Sequence, residues 1–140
     1  MKWTKLIAVI LSVAVTIPAA VVICYGAWLR FDEWRFYRAR PILAAMWRAH
    51  IEAKDNGTSS DAASEALQRH LAPGRSRADA MKALEVEGFH CAPSHRRRGA
   101  VDCLLGAPAD PGYTEWVVGL HVNEAGKLSG SDVMIAGISF

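Results

Sequence analysis

Residues 90–103 read HCAPSHRRRGAVDC, and this stretch decides how the distal half of the chain folds. Arg97 lies midway between Cys91 and Cys103, inside a loop-like run of serine, histidine, arginine and glycine. A hairpin folded about Arg97 places the two cysteines opposite each other, at a Cα separation of about 4.5–5.5 Å that suits a disulfide. The spacing therefore predicts a Cys91–Cys103 disulfide. Such a bond stabilises a domain by about 3 kcal/mol and persists only in oxidising compartments.

The residues beyond this hairpin have the two-residue period of β-strands. Four apolar side chains recur at every second position: Trp116, Val118, Leu120 and Val122. Residues 123–126 (NEAG) have turn composition, and a last strand is expected over residues 132–140. A shorter strand is expected over residues 100–105. Because consecutive strands joined by short turns run antiparallel, the sequence predicts a three- or four-stranded antiparallel sheet.

Two helices precede the sheet in the sequence. Apolar spacing predicts a helix over residues 60–71, and residues 73–74 (Pro-Gly) end it. Ser76 starts the next helix, with Asp79 three residues later at the capping-box position and Gly88 at the C-terminal cap. The distal domain, residues 56–140, is therefore predicted to be α+β, with two helices packed on one face of the sheet.

This order of elements resembles the SmpA/OmlA-type domains, small two-helix, three-strand accessory lipoproteins of the outer-membrane β-barrel assembly machinery. The resemblance covers residues 71–140 and rests on residues 73–80 (PGRSRADA), Leu84 and the strand opened by Trp116. Residues 87–89 (EGF) replace the family's usual Leu-Gly-x-Pro, and the family's lipidated cysteine is missing. The resemblance implies a protein-contacting module of the cell envelope rather than an enzyme.

Residues 31–55 are interpreted as a separate membrane-proximal helix, rich in arginine and aromatic side chains. Pro41 suits the first turn of this helix. Four side chains share one helical face and are the predicted partner-binding residues: Leu43, Met46, Trp47 and Ile51. The same face can instead pack on the protein's own domain, extend the membrane helix or lie along anionic lipid. The sequence leaves these alternatives open.

Residues 6–29 (LIAVILSVAVTIPAAVVICYGAWL) contain no charged side chain. At about 1.5 Å per residue, a helix of this length spans roughly 36 Å and can cross a hydrocarbon core of about 30 Å. A cleaved signal peptide is the alternative, but a cut at residues 18–20 (Pro-Ala-Ala) would divide the apolar run in half. Cys24 follows Val-Val-Ile, which does not fit a lipoprotein signal. Residues 1–30 are therefore predicted to be an uncleaved transmembrane anchor.

The two ends of the anchor give opposite indications of topology. Lys2 and Lys5 precede it, as in an ordinary signal-anchor, whereas five arginines follow it within about twenty residues. The predicted disulfide favours export. We therefore expect an inner (plasma) membrane protein with a single transmembrane helix, whose distal domain faces the periplasm or the outside.

Composition and motifs exclude other classes of protein. The 140 residues carry 16 Lys and Arg against 14 Asp and Glu, and a net charge of +2 gives no support to nucleic-acid binding. The sequence has no G-x-S-x-G, H-E-x-x-H, P-loop or G-x-G-x-x-G motif, so we expect neither enzymatic activity nor a cofactor. A zinc site would use four ligands: His90, Cys91, His95 and Cys103. Their spacing lacks the paired cysteines of structural zinc sites.

The anchor, the aromatic helix and the lack of catalytic motifs together favour a non-enzymatic accessory or interaction subunit of a membrane protein complex. The expected partners are the membrane and the subunits of that complex. The alternative is a module that binds or senses an anionic ligand through Arg96, Arg97 and Arg98, since guanidinium groups bind anions well. A solvated hairpin tip has the same composition.

Overall fold

The computed structural model describes residues 2–109 and 112–138, and the chain divides into two compact units between Asp32 and Glu33. This division lies within helix α1 (Lys2–Arg38), which contains Pro18. The part Ser12–Arg38 is long and apolar enough to cross a membrane, and none of its most apolar window is buried by other described residues. The apolar surface of this part of α1 is therefore not buried by other described residues.

The second unit contains the helices α2 (Pro41–Ala53), α3 (Ser59–His70) and α4 (Arg77–Val86), with a short 3-10 turn at Lys54–Asn56. Pro41 is the first residue of α2, as predicted. Ser76 caps the start of α4 as predicted, because its hydroxyl accepts a hydrogen bond from the Asp79 N–H at 3.1 Å. Gly88 follows the end of α4 with a φ of +95°, the left-handed conformation that favours glycine.

The sheet contains β1 (His90–Pro93), β2 (Val101–Pro108), β3 (Tyr113–Val122) and β4 (Leu128–Ile138). The strands lie in this order and every neighbouring pair is antiparallel. The predicted α+β class and the antiparallel sheet are thereby confirmed. The last strand begins earlier than predicted, at Leu128, because pairing with Val122 starts directly after the turn. Phe140, where we expected it to end, lies outside the described residues.

The hairpin about Arg97 has the predicted register. Cys91 lies directly opposite Cys103, and a disulfide joins them. The disulfide prediction is thereby confirmed. The zinc alternative loses both of its thiolate ligands, because each sulfur is already bonded to the other.

The core of the second unit combines all three helices with β2, β3 and β4. Its fully buried large side chains are Trp116, Leu43, Met46, Leu67, Leu71, Leu84, Leu120, Leu128, Val101 and Val118. Two of them, Leu43 and Met46, belong to α2. The division of residues 31–55 from the distal domain is therefore wrong for α2, because this helix supplies part of the core.

Burial also corrects the predicted partner-binding face. Leu43 and Met46 are 0% exposed, so neither can contact a partner in the folded protein. Trp47 is partly buried, and its ring stacks on Tyr37 with 4.7 Å between the ring centroids. Ile51 remains 48% exposed. An amphipathic pattern shows that one face of a helix is buried. It does not show whether the residues that bury this face belong to the same chain or to a partner.

A buried carboxylate holds α2 on the rest of the domain. The two oxygens of Glu87 accept hydrogen bonds from the backbone N–H groups of Ile42 and Leu43, at 2.7 and 2.8 Å. These N–H groups lie in the first turn of α2, where they have no partner within the helix and where negative charge is favourable. Arg40 donates in return to the carbonyl oxygens of Glu87 and Phe36, at 2.7 and 2.8 Å. The end of α4 thus caps the start of α2.

Helix α3 packs along the outer edge of the sheet. The Ser64 hydroxyl accepts a hydrogen bond from the Val133 N–H at 2.9 Å. The Gln68 amide donates to the carbonyl oxygen of Ser131 at 3.1 Å. Because β4 is the last strand of the sheet, these side chains take the place of a neighbouring strand at two points of its edge.

Candidate functional site

The sheet presents two different faces, since neighbouring side chains on a strand point to opposite sides. Trp116 and Val118 of β3 point into the core. Val117 and Gly119 point to the other side, which we call the open face. A groove of about 400 Å³ lies on the open face, and its lining comes only from β2, β3, β4 and the loop before β2.

Three apolar side chains lie side by side across the open face. The strand register places Leu104 of β2 beside Val117 of β3, and Val117 beside Met134 of β4. We call these three residues the apolar row. Leu104 is 38% exposed and Met134 is 47% exposed, and both line the groove. The row is therefore available to a contact from outside the domain.

Smaller and charged residues lie in the registers on either side of the apolar row. One neighbouring register contains Asp102, Gly119 and Asp132, and the other contains Gly106, Glu115 and Ala136. Glycine has no side-chain carbon and alanine has a single methyl group, so both rise less from the sheet than leucine or methionine does. The surface is consequently shallow on the side of Gly106 and Ala136, whereas the Asp132 side chain covers Gly119 on the other side.

An ionic cluster lies along one side of the groove, which we call its wall. The Arg97 guanidinium donates to the Asp132 carboxylate at 3.1 Å, and Nε2 of His121 lies 2.6 Å from the other oxygen of Asp132. Nε2 also lies 3.0 Å from the Arg97 guanidinium. In a neutral imidazole this nitrogen either donates or accepts a hydrogen bond, so it cannot donate to Asp132 and accept from Arg97 at once. The short contact with Asp132 favours the tautomer that donates to the carboxylate. Both Arg97 and His121 are thus held by Asp132.

Gly119 is the residue that makes room for this cluster. It lies directly opposite Asp132 in the register, and a Cβ at position 119 would collide with Oδ1 of Asp132. A larger residue would therefore displace the carboxylate from Arg97 and His121. Sequence reasoning missed both Gly119 and Asp132, although a glycine inside a strand is itself a signal of close approach by another group.

The three arginines of the predicted anion site have different environments. The Ser94 hydroxyl accepts from the backbone N–H groups of Arg96 and Arg97, at 3.2 and 3.3 Å, and so shapes the loop over residues 94–99. Arg97 folds onto the sheet and pairs with Asp132. Arg96 lines the groove, while Arg98 does not. The three guanidinium groups therefore do not converge on one site, and anion binding stays a prediction for Arg96 and Arg98.

The charge of the groove also differs from that of an anion site. Its lining contains three carboxylates, Asp102, Glu115 and Asp132, against two guanidinium groups. Arg97 is already neutralised by Asp132. The groove therefore has a mixed and slightly acidic lining, which favours partners with basic side chains over anions.

A second group of interest lies on the core side, where His50 packs against Trp116 with 5.8 Å between ring centroids. Nδ1 of His50 is buried and has no hydrogen-bond partner among the described residues. Burial lowers the pKa of His50 below its usual value, and the nearby Lys54 lowers it further. Trp116 in turn donates to the Tyr37 hydroxyl at 3.2 Å. This cluster joins α1 and α2 to the sheet, and we assign it a structural role.

No family model, curated protein or solved structure matches this chain. The resemblance to SmpA/OmlA-type domains therefore stays a prediction. Among the residues that the structure describes, no group of three or more His, Cys, Asp or Glu side chains is arranged to hold a metal ion.

Proposed function

We propose that this chain is an inner (plasma) membrane protein with a single transmembrane helix, and that it acts as a non-enzymatic interaction subunit of a membrane protein complex. The observation that carries the proposal is the open face, where a half-exposed apolar row lies in a groove on an otherwise well-packed domain. Exposed apolar patches of this kind mark surfaces that bind other proteins. The contact surface is therefore the open face rather than α2.

Two features support the proposed location. Val22 and Ile23, in the middle of α1, are 71% and 70% exposed, as expected of side chains that face lipid. The Cys91–Cys103 disulfide is typical of an oxidising compartment, such as the periplasm or the cell exterior. The third cysteine, Cys24, is free and lies on α1. Together these features favour a distal domain on the exported side of the membrane.

The use of the polar groups on the open face favours binding over catalysis. Arg97 and His121 both bond to Asp132, so the groups with acid–base chemistry serve to hold the loop over residues 94–99. The nearby Ser94 hydroxyl accepts two backbone hydrogen bonds of the same loop. These side chains shape a surface, which is what a binding module requires.

Site-specific photocross-linking in native membranes tests this function. A benzophenone amino acid in place of Met134 should give a discrete cross-linked product, because its side chain lies in the groove. Lys82, exposed on α4 away from the open face, is the matched control position. Failure of the Met134 position to cross-link, or identical products from both positions, would contradict the proposal.

Topology is tested separately. A reporter enzyme that is active only after export, joined after residue 140, should be active, and its cytoplasmic counterpart inactive. The reverse result would place the domain in the cytoplasm. It would also leave the arginines after the anchor as the better guide to orientation.

A further inference from the structure

We infer that the open face receives an amphipathic helix of the partner protein, with basic side chains beside its apolar stripe. This inference rests on the proposed function and specifies the chemistry of the partner. The helix lies along the strands, its apolar stripe covers the apolar row, and a lysine or arginine of the helix meets Glu115.

The width of the apolar row favours a helix over an extended segment. Leu104, Val117 and Met134 lie on three adjacent strands, which are about 4.8 Å apart, so the row is roughly 10 Å wide. A helix with its side chains is about 10–12 Å in diameter. A single extended strand covers about half of this width. A helix therefore buries all three side chains at once.

The shallow surface beside the row fits the same occupant. Gly106 and Ala136, on the side of the row away from the arginine loop, leave the backbone of the sheet low along the path of the helix. A Cβ at Gly106 would meet no atom within 4 Å apart from those of its chain neighbours, so the surface at this position is open. The apolar stripe of a helix can thus approach the sheet closely, as in α/β packing within a domain.

The charges of the groove determine which helix fits. Three of its charged side chains have no ion pair among the described residues: Asp102, Glu115 and Arg96. Two carboxylates against one guanidinium favour a helix with basic side chains. Glu115 lies on the register farthest from the arginine loop, so it is the carboxylate that a basic side chain meets without repulsion from Arg96 or Arg97.

The wall of the groove is in place before any partner binds. The disulfide closes the base of the hairpin, and the Arg97–Asp132 pair ties the loop to β4. Association therefore does not have to order this loop, which reduces the entropic cost of binding.

Paired photocross-links distinguish a helix from an extended segment. Asp102 and Gly106 lie four residues apart on β2, a distance of about 13 Å along the strand. Cross-linkers placed singly at these two positions of the full chain, in native membranes, should join partner residues about nine positions apart, because a helix rises about 1.5 Å per residue. An extended partner would give a spacing of about four. A lysine or arginine should lie within one turn of the residue joined to position 106, since Gly106 pairs with Glu115.

The possible results separate the inference from the proposed function. Spacing of about four, a partner segment without basic residues, or cross-links from Met134 but from neither of these positions would overturn the inference and leave the proposed function standing. No cross-link from Met134 would overturn both.

A charge reversal gives an independent measurement. Glu115→Lys should reduce the yield of the Met134 cross-link at least about tenfold, which corresponds to about 1.4 kcal/mol, while Glu115→Gln should reduce it less. Glu124→Lys, on the exposed turn before β4, is the matched control and should leave the yield unchanged. All three variants should keep the wild-type unfolding temperature. An equal or higher yield with Glu115→Lys would overturn the inference.

Discussion

The two faces of the sheet belong to the same strands, but they differ in how far their side chains are buried. On the core face, Trp116, Val118 and Leu120 are fully buried, and three helices cover them. On the open face, Val117 is only partly buried, and the Asp132 side chain occupies the space above Gly119. One face packs against helices of the same chain, and the other is left with its apolar row and its charged side chains partly exposed.

Two methionines show this difference in a single residue type. Met46 is 0% exposed beneath the core face, and Met134 is 47% exposed on the open face. Substitutions on the two faces should therefore separate stability from binding, and each of the following measurements tests how complete that separation is.

The largest effect is expected for Met46→Ala. A buried side chain of this size costs about 2–5 kcal/mol when it is truncated, whereas Met134→Ala should change the free energy of unfolding by less than about 0.5 kcal/mol. Thermal unfolding of the full chain in mild detergent, followed by tryptophan fluorescence, measures both. Similar losses in the two variants would mean that the faces are not distinct.

The disulfide should give the next largest effect, since it crosses from edge strand β1 to the core residue Cys103. Cys91→Ser and Cys103→Ser should each lower stability by about 3 kcal/mol, or the unfolding temperature by roughly 10 °C. Reductant should reproduce the shift in the wild type, while Cys24→Ser should not. Ready labelling of both Cys91 and Cys103 thiols in never-reduced protein would contradict the bond.

Glu87→Gln tests whether the hydrogen bonds from the start of α2 to Glu87 stabilise the packing of α2 on the core face. One amide oxygen cannot replace two carboxylate oxygens, and the amide N–H groups would face backbone donors. We expect a loss of about 1–3 kcal/mol, the usual cost of leaving a buried donor without its charged partner. Glu85→Gln, on the exposed side of α4, is the control and should have almost no effect. Equal unfolding temperatures for the two variants would exclude the capping role.

Asp132→Asn should affect the open face locally and stability only slightly. The pair with Arg97 is partly exposed, so its loss should cost about 0–1 kcal/mol. The loop over residues 94–99 should nevertheless exchange its amide hydrogens faster, because its attachment to β4 is weakened. Hydrogen exchange followed by mass spectrometry measures this, with Glu124→Gln as the control. Unchanged exchange would show that the loop is held by other contacts.

The smallest effect is expected from His50. Its pKa is lowered in the folded protein, so the unfolded chain binds the proton first as pH falls. Its contribution to stability is complete above about pH 6.5, the usual histidine pKa, and is lost as pH falls through the folded-state value. The drop in unfolding temperature between pH 7.5 and 5.5 should therefore be smaller in His50→Gln than in the wild type. His70→Gln, on the exposed end of α3, is the control. An unchanged or larger drop would contradict the role of burial at His50.

The local parts of this structure could be predicted from the sequence because their partners lie close along the chain. The Cys91–Cys103 register follows from the symmetry of one hairpin, and the Ser76–Asp79 cap spans three residues. The carboxylate of Glu87 acts on N–H groups 44 and 45 residues away. Asp132 meets Arg97 across 35 residues. No local pattern contains such contacts, because they depend on how helices and strands assemble.

The same limit explains the wrong assignment of α2. Its apolar face was correctly identified, but the identity of its cover is a property of the tertiary fold. A fragment of residues 56–140 would lack Leu43 and Met46 and would expose the core they fill. The folding unit is therefore expected to begin near Glu33, where the second unit begins.

The hydrogen bonds from Ser64 and Gln68 to the edge of β4 have a consequence for a domain tethered to a bilayer. Copies of such a domain diffuse in two dimensions and meet repeatedly in similar orientations, which favours pairing between unprotected strand edges. Since α3 already occupies the N–H of Val133 and the carbonyl of Ser131, neighbouring copies cannot join their sheets along this part of β4. Pairing of sheets through this part of β4 is therefore blocked even where copies of the domain are concentrated.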